Sequence, residues 1–156
     1  MNKYLQNNRK SNYDKFPVVQ VPGEEHSCVT GWENVTAALR SLLQQQQQHI
    51  LVVECYQGVY EDEVLKALRD GFPEACIFES ALAMKDQHVL YDAIKDDVTD
   101  DEIFGYMTRH TMGIYFDDAK VERMRGLIAA SLAKCTIVYG VGASYVWQES
   151  ASIAYL

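Results

Sequence analysis

The hydrophobic positions of this chain fall into two alternating patterns, short continuous runs and sets spaced as on a helix. Short apolar runs between polar residues are typical of buried strands. Five such runs lie at 18–21, 50–53, 75–78, 112–116 and 136–139, and residues 152–156 begin a further β-like segment. The pattern therefore predicts a strand at each of these positions.

The segments between the runs carry apolar residues three and four positions apart, which predicts helices. Two helix starts show the Thr-x-x-Glu capping box, at Thr30–Glu33 and at Thr99–Glu102. The remaining predicted helices span 60–68 and 87–95, or follow a cap at Asp117. Strands and helices thus alternate along most of the chain.

This alternation predicts a fold of the α/β class. A helix that returns the chain to the same end of a sheet makes the next strand parallel, and right-handed crossovers place helices on both faces. We therefore expect a three-layer sandwich with a mainly parallel sheet of about five strands. The 156 residues suit one domain at 13–156 behind a flexible polar tail at 1–12, and the β-like end suggests a domain that continues past Leu156.

Composition narrows the classes of partner. The net charge of −8 and the sequence pI near 4.9 disfavour nucleic acid and anionic membranes, because phosphate groups would be repelled. No apolar run is long enough to span a bilayer, and the polar N-terminus lacks a signal peptide, which predicts a cytoplasmic protein. The four cysteines form no Cys-x-x-Cys pair, and no metal site is predicted.

Ligands of open parallel sheets bind outside the carboxyl ends of the strands, so the residues there are the candidates for a site. Carboxylates at such positions bind Mg²⁺ or sugar hydroxyls, whereas at a helix start they act as caps and bind no ligand. The candidate ligand-binding residues are Glu54, Tyr56, Gln57, Gly58, Glu79, Asp117, Asp118, Gly140 and Gly142.

The turn after the strand at 50–53 has the position of a phosphate-binding loop but not its composition. A P-loop needs several glycines and a lysine, whereas this turn has Gly58 alone and no lysine before Lys66. No cofactor is predicted, except that Mg²⁺ would accompany a divergent phosphotransferase with a degenerate P-loop.

Four segments resemble the amino-terminal part of bacterial class I mannose-6-phosphate isomerases. They are Ser11–Pro17, Val52–Val59, Asp101–Gly105 and Val138–Ala143, and the resemblance extends from Ser11 to the end of the chain. It implies a protein of carbohydrate metabolism, but the zinc-binding Gln-x-His-Pro motif of those isomerases is missing, so no catalytic residue is carried over. The layout is also similar to the P-loop kinase-like fold of nucleoside kinases.

Three functions follow as hypotheses. The first is a non-catalytic or regulatory domain of a mannose-6-phosphate isomerase-like protein that binds a sugar-phosphate. The second is the phosphotransferase, using Glu54 and Asp117 with Mg²⁺. The third is a structural module that forms a homo-oligomer, or meets a downstream domain, through apolar surface at Val146, Trp147 and 153–156.

Overall fold

The computed structural model describes residues 17, 22–23 and 28–156 of the chain. The predicted tail at 1–12, the predicted strand at 18–21 and all of the Ser11–Pro17 segment except Pro17 lie outside the described residues. No helix in the described part has the length and apolar character needed to cross a membrane.

The described chain contains five α-helices and four strands. The helices are α1 Trp32–Gln45, α2 Glu61–Gly71, α3 Gln87–Val98, α4 Asp118–Ala129 and α5 Ala143–Val146. The strands are β1 Ile50–Glu54, β2 Cys76–Glu79, β3 Thr136–Gly140 and β4 Ser152–Tyr155. Short 3₁₀ helices at Ser80–Ala83 and Met112–Tyr115 complete the described elements.

The four strands form one parallel sheet in the order β2-β3-β1-β4. Ile50 of β1 lies beside Thr136 of β3, and Leu51 lies beside Ser152 of β4. Strands β1 and β3 are almost wholly buried, as expected for the centre of a parallel sheet covered on both faces. The α/β prediction with a mainly parallel sheet is confirmed, with four strands in the described part of the chain where about five were expected.

The sheet separates two hydrophobic cores, because successive side chains of a strand point to opposite faces. On one face Leu51 and Val53 pack with Val64 and Leu68 of α2. On the other face Val52 packs with side chains of α4 and α5 and with Phe116. Layers of helix therefore cover both faces, as a three-layer sandwich requires.

Both capping-box predictions are wrong. Helix α1 begins at Trp32, and Gly31 holds the N-cap position at φ +83° without a side-chain cap bond. The segment Thr99–Glu102 forms a loop. Thr99 Oγ1 and Asp101 Oδ1 accept hydrogen bonds from backbone N–H groups nearby, and such local bonds compete with a helix.

The strand predicted at 112–116 is also wrong. Residues Met112–Tyr115 form a 3₁₀ helix, and Phe116 makes only an isolated antiparallel bridge with Met84. The N–H of Phe116 bonds the carbonyl of Gly113, so the segment satisfies its backbone locally instead of joining the sheet. The apolar run reflects burial of Phe116, whose side chain is 1% exposed.

Candidate functional site

A pocket opens at the carboxyl end of the sheet, lined by the ends of β2 and β3 and by the turn after β1. After β1 the chain runs to α2, which packs on one face, and after β3 it runs to α5, which packs on the other. Adjacent strands whose connections leave to opposite faces create the position where open parallel sheets bind ligands. The pocket, of about 570 Å³, lies beside this position, over the ends of β3 and β2.

Polar groups from three successive strand ends converge on the pocket. The turn after β1 contributes Gln57, and α2 contributes Glu61. Strand β2 contributes Glu79 with the adjoining Ser80, and β3 contributes Tyr139 and Gly140. The other lining residues are mostly apolar: Ala81, Met84, Ile94, Met112, Tyr115 and Val141. The predicted site residues Gln57, Glu79 and Gly140 are thus brought together.

The pocket is negatively charged. Its lining includes Glu61 and Glu79, and no lysine, arginine or histidine is among the lining residues that the structure describes. Burial raises the pKa of the Tyr139 phenol, and the charges of Glu61 and Glu79 raise it further. Tyr139 therefore keeps its proton at neutral pH as a hydrogen-bond donor, while the carboxylates accept. Hydroxyl and amine groups suit this lining, whereas phosphate does not.

A close contact between the ends of β2 and β3 shapes the pocket. Ser80 Oγ donates a hydrogen bond to the carbonyl of Val141 at 2.8 Å. Gly140 adopts φ +118°, and a Cβ at this position would lie 2.6 Å from Ser80 Oγ. Glycine is required here by both the backbone conformation and the approach of Ser80.

Glu54 does not face the pocket lining but contacts the turn after β3. Its two carboxylate oxygens accept hydrogen bonds from the N–H groups of Gly142 at 2.6 Å and Ser144 at 2.7 Å. These N–H groups belong to the N-terminus of α5, a position that in other proteins binds anions. Here the carboxylate of Glu54 takes the place of a bound anion. Its hydrogen bond with Gly142 connects the end of β1 to the turn after β3.

The turn between β1 and α2 lacks groups that would hold phosphate. Tyr56 and Gly58 are exposed and do not line the pocket. The first turn of α2 is acidic, with Glu61, Asp62 and Glu63. The ammonium group of Lys66 bonds the carboxylate of Asp70 at 2.8 Å.

Asp117 and Asp118 lie at the start of α4, away from the pocket lining. Asp117 Oδ1 accepts a hydrogen bond from the N–H of Lys120 at 2.9 Å, which makes it the N-cap of this helix. Asp118 is exposed in the first turn. Their positions match the capping interpretation that the sequence left open beside ligand binding.

No group of three or more histidine, cysteine or acidic side chains is placed to share a metal ion within residues 28–156 and the few residues described before them. The four cysteines are free; Cys55 is buried, and burial raises the pKa of its thiol. Cys76 is exposed, although it begins a strand.

Comparison with protein families identifies the family of this chain. The model of the family described as Domain of unknown function (DUF8485) matches residues 31–156. The chain belongs to this family. Comparison with curated proteins and with solved structures gave no match. Every residue of the pocket falls inside the matched range, so the pocket lies within the DUF8485 domain of this chain. The resemblance to mannose-6-phosphate isomerases stays a prediction, because nothing in this match bears on it.

Sequence reasoning missed several lining residues of the DUF8485 pocket. Glu61 begins α2, beyond the strand ends at which the sequence indicated ligand-binding residues. The sequence predicts Tyr139 inside a strand, and only the tertiary structure shows that it lines the pocket, beside Glu79. Met112 and Tyr115 come from the segment mistaken for a strand, and no sequence signal indicated their place.

Proposed function

We propose that this DUF8485 domain is a non-catalytic binding domain for a small molecule rich in hydroxyl groups, such as a sugar. The pocket between the turns after β1, β2 and β3 is its site. One observation carries the proposal: Glu61, Glu79 and Tyr139 converge on a cavity of about 570 Å³ at the ligand-binding edge of a parallel sheet.

The chemistry of the lining supports the sugar part of a sugar-phosphate more than the phosphate. Charged acceptors make stronger hydrogen bonds with hydroxyl donors than neutral acceptors do. A phosphate inside the pocket would face Glu61 and Glu79 without a cation among the lining residues. A bound sugar-phosphate would therefore keep its phosphate at the mouth of the pocket, in solvent.

The phosphotransferase alternative stays a prediction, and the contacts described above do not favour it. Its proposed residue Glu54 is engaged by two backbone N–H groups, and Asp117 caps α4. Cytoplasmic location and membership of a mannose-6-phosphate isomerase-like protein also stay predictions.

Isothermal titration and thermal-shift measurements with mannose, mannose 6-phosphate and fructose 6-phosphate test the proposal. We expect mannose to bind and to stabilise the chain, with a gain of about 2.7 kcal/mol when its concentration is a hundred times the dissociation constant. At low salt, mannose 6-phosphate should bind more weakly than mannose. Its affinity should approach that of mannose as salt screens the charges of the carboxylates.

The variant Glu79→Gln keeps the size of the side chain and removes one pocket charge. We expect this variant to weaken mannose binding and to reduce the difference in affinity between mannose and mannose 6-phosphate. Glu149→Gln, an exposed charge outside the pocket lining, is the matched control and should change neither. Absence of binding for all three sugars at millimolar concentration would refute the proposal, and magnesium-dependent ATP binding would support the phosphotransferase instead.

A further inference from the structure

The surface that follows α3 exposes several large apolar side chains within a short stretch. We call Val98, Ile103, Phe104, Tyr106 and Met107 the apolar patch. All five are exposed, Phe104 at 73% and Met107 at 96%. The first four line a concavity of about 410 Å³. Grouped exposed apolar side chains beside a concavity mark interaction sites on protein surfaces.

The loop that carries the apolar patch is held in shape by its own hydrogen bonds. Asp101 Oδ1 accepts from the N–H groups of Ile103 and Phe104, each at 2.8 Å. Thr99 Oγ1 donates to the carbonyl of Phe104 at 2.9 Å, and the N–H of Tyr106 bonds the carbonyl of Asp97 at 2.7 Å. A preorganised loop loses less conformational entropy on binding than a flexible one.

Carboxylates surround the same concavity. Five acidic residues and no lysine or arginine occur between Lys95 and Arg109. Asp97, Asp101 and Glu102 are among those that line the concavity. His110 lies near one of them, with its Nε2 atom 3.0 Å from Asp97 Oδ2. The patch therefore combines apolar area with a negative rim, which defines the chemistry of a complementary partner.

The negative charge of the rim favours some binding partners of the apolar patch over others. Nucleic acid carries phosphates that the rim repels. A second copy, paired about a two-fold axis, would place the same patch against itself, and the carboxylates of the two rims would face each other. A protein segment with cationic side chains beside an apolar one meets both features of the patch.

We propose that the apolar patch is the docking surface for a partner protein segment that carries basic residues around an apolar anchor. The anchor occupies the concavity beside Phe104, and the basic residues pair with the carboxylates of the rim. This surface is separate from the strand-end residues that line the sugar pocket, although Ile94 and Tyr115 border both.

Fluorescence anisotropy with three labelled peptides tests this proposal on the full chain. The probe is an amphipathic peptide of leucine and lysine, and the controls replace either all leucines by serine or all lysines by glutamate. We expect only the leucine–lysine peptide to bind, with an affinity that falls as salt increases.

Matched variants locate the binding. The double variant Ile103→Ser with Phe104→Ser should weaken binding about tenfold or more, because buried apolar anchors dominate interface energies. The double variant Asp100→Asn with Glu102→Gln should weaken it about threefold and reduce its salt dependence, and it leaves the bracing carboxylate of Asp101 intact. Leu132→Ser, which changes a fully exposed leucine elsewhere, and Glu149→Gln should have no effect.

Circular dichroism and a thermal melt confirm that each variant is folded. The proposal is overturned if the leucine–glutamate peptide binds equally well, or if Leu132→Ser weakens binding as much as the Ile103–Phe104 variant. It is also overturned if no peptide binds and light scattering shows that the Ile103–Phe104 variant dissociates a dimer, because the patch would then be covered by a second copy.

Discussion

Glu54 contacts backbone groups that follow a neighbouring strand. Its position directly after a buried strand suggested a ligand, since an unpaired charge there is costly. The partners are instead the N–H groups of Gly142 and Ser144. The need for a partner was readable from sequence, but the partner lies about ninety residues away in the chain.

The contacts of Glu54 predict a loss of stability on substitution by glutamine. Glutamine offers one acceptor oxygen in place of two, so one N–H group at the start of α5 loses its bond. We expect Glu54→Gln to lower the free energy of unfolding by about 1–3 kcal/mol, measured by urea denaturation. Glu149→Gln should change it little, and equal stability of the two variants would contradict the structural role of Glu54.

Gly142 and Gly58 allow the free-energy cost of adding a Cβ to be compared at a packed and at an open position. Both have positive φ, +73° and +102°, but a Cβ at Gly142 would lie 2.6 Å from Phe116 Cζ, whereas a Cβ at Gly58 would meet nothing within 4 Å. We expect Gly58→Ala to cost about 1–3 kcal/mol from backbone strain. Gly142→Ala should cost about 1–3 kcal/mol more from overpacking. Urea unfolding measures the free energy of unfolding of both variants. A smaller loss for Gly142→Ala than for Gly58→Ala would show that the Phe116 ring moves aside without cost.

Tyr139 predicts a change of stability with pH. Burial and the nearby carboxylates raise the pKa of its phenol in the folded chain. The folded state then keeps a proton that the unfolded state releases, so the contribution is fully present below the unfolded pKa and is lost as pH rises through the folded pKa.

We expect the free energy of unfolding to fall as pH increases above about 10, the ordinary pKa of tyrosine. Tyr139→Phe removes this group and should flatten the decrease, whereas Tyr155→Phe, at an exposed tyrosine, should leave it unchanged. Urea unfolding at several alkaline pH values measures the difference. If the free energy of unfolding of Tyr139→Phe fell more steeply with pH than that of the unsubstituted chain, the pKa of Tyr139 would be lowered by folding, contrary to the prediction.

At the scale of elements, burial differs sharply between β1 and α3. Leu51 and Val52 of β1 are completely buried, whereas α3 contains no buried residue. Local propensity and the loop bonds after Thr99 therefore contribute much of the order in α3, and tertiary packing contributes little. Elements with few buried apolar contacts open at low free energy.

Hydrogen exchange followed by mass spectrometry tests this contrast. We expect peptides from α3, residues 87–98, to exchange much faster than peptides from 50–54 and 136–140, at conditions where the whole chain stays folded. The two-sided burial of β1 and β3 makes them the slowest to exchange. Equal protection of α3 and β1 would mean that α3 is held by contacts that its exposure does not show.

At the scale of the whole molecule, β4 forms one edge of the described sheet. Strand β4 has no neighbour on its outer side among the described strands, and its sequence Ser-Ile-Ala-Tyr has no charge or proline to prevent pairing. Tyr155 is exposed there, whereas Val146, expected on the same surface, is completely buried in the core. Formation of a homo-oligomer stays a prediction that rests on this edge.

Light scattering after size exclusion measures that self-association. We expect the fraction of dimer to increase with protein concentration. It should also increase with salt, because salt screens the repulsion between chains of net charge −8. Ile153→Lys places a charge on the edge and should shift the population to monomer, while Leu132→Lys is the exposed control. A chain that stays monomeric at every concentration and salt would remove this edge as an interface.

The sequence by itself determined the class of fold and most of its elements. Strands β1 and β3 and helices α2 and α4 are evident because burial on both faces requires continuous apolar runs, and burial on one face requires helical spacing. The strand ends at Gln57, Glu79 and Gly140 were identified for the same reason, since parallel strands place their carboxyl ends at one edge.

Only the tertiary structure decided which of these groups meet. The partner of Glu54, the place of Tyr139 in the pocket and the burial of Phe116 depend on contacts between distant segments. The local patterns at Thr99–Glu102 and at 112–116 suit two conformations, and side-chain hydrogen bonds and core packing selected the one that sequence did not predict. Local preferences are weak compared with the free energy of burial, so long-range packing determined the site.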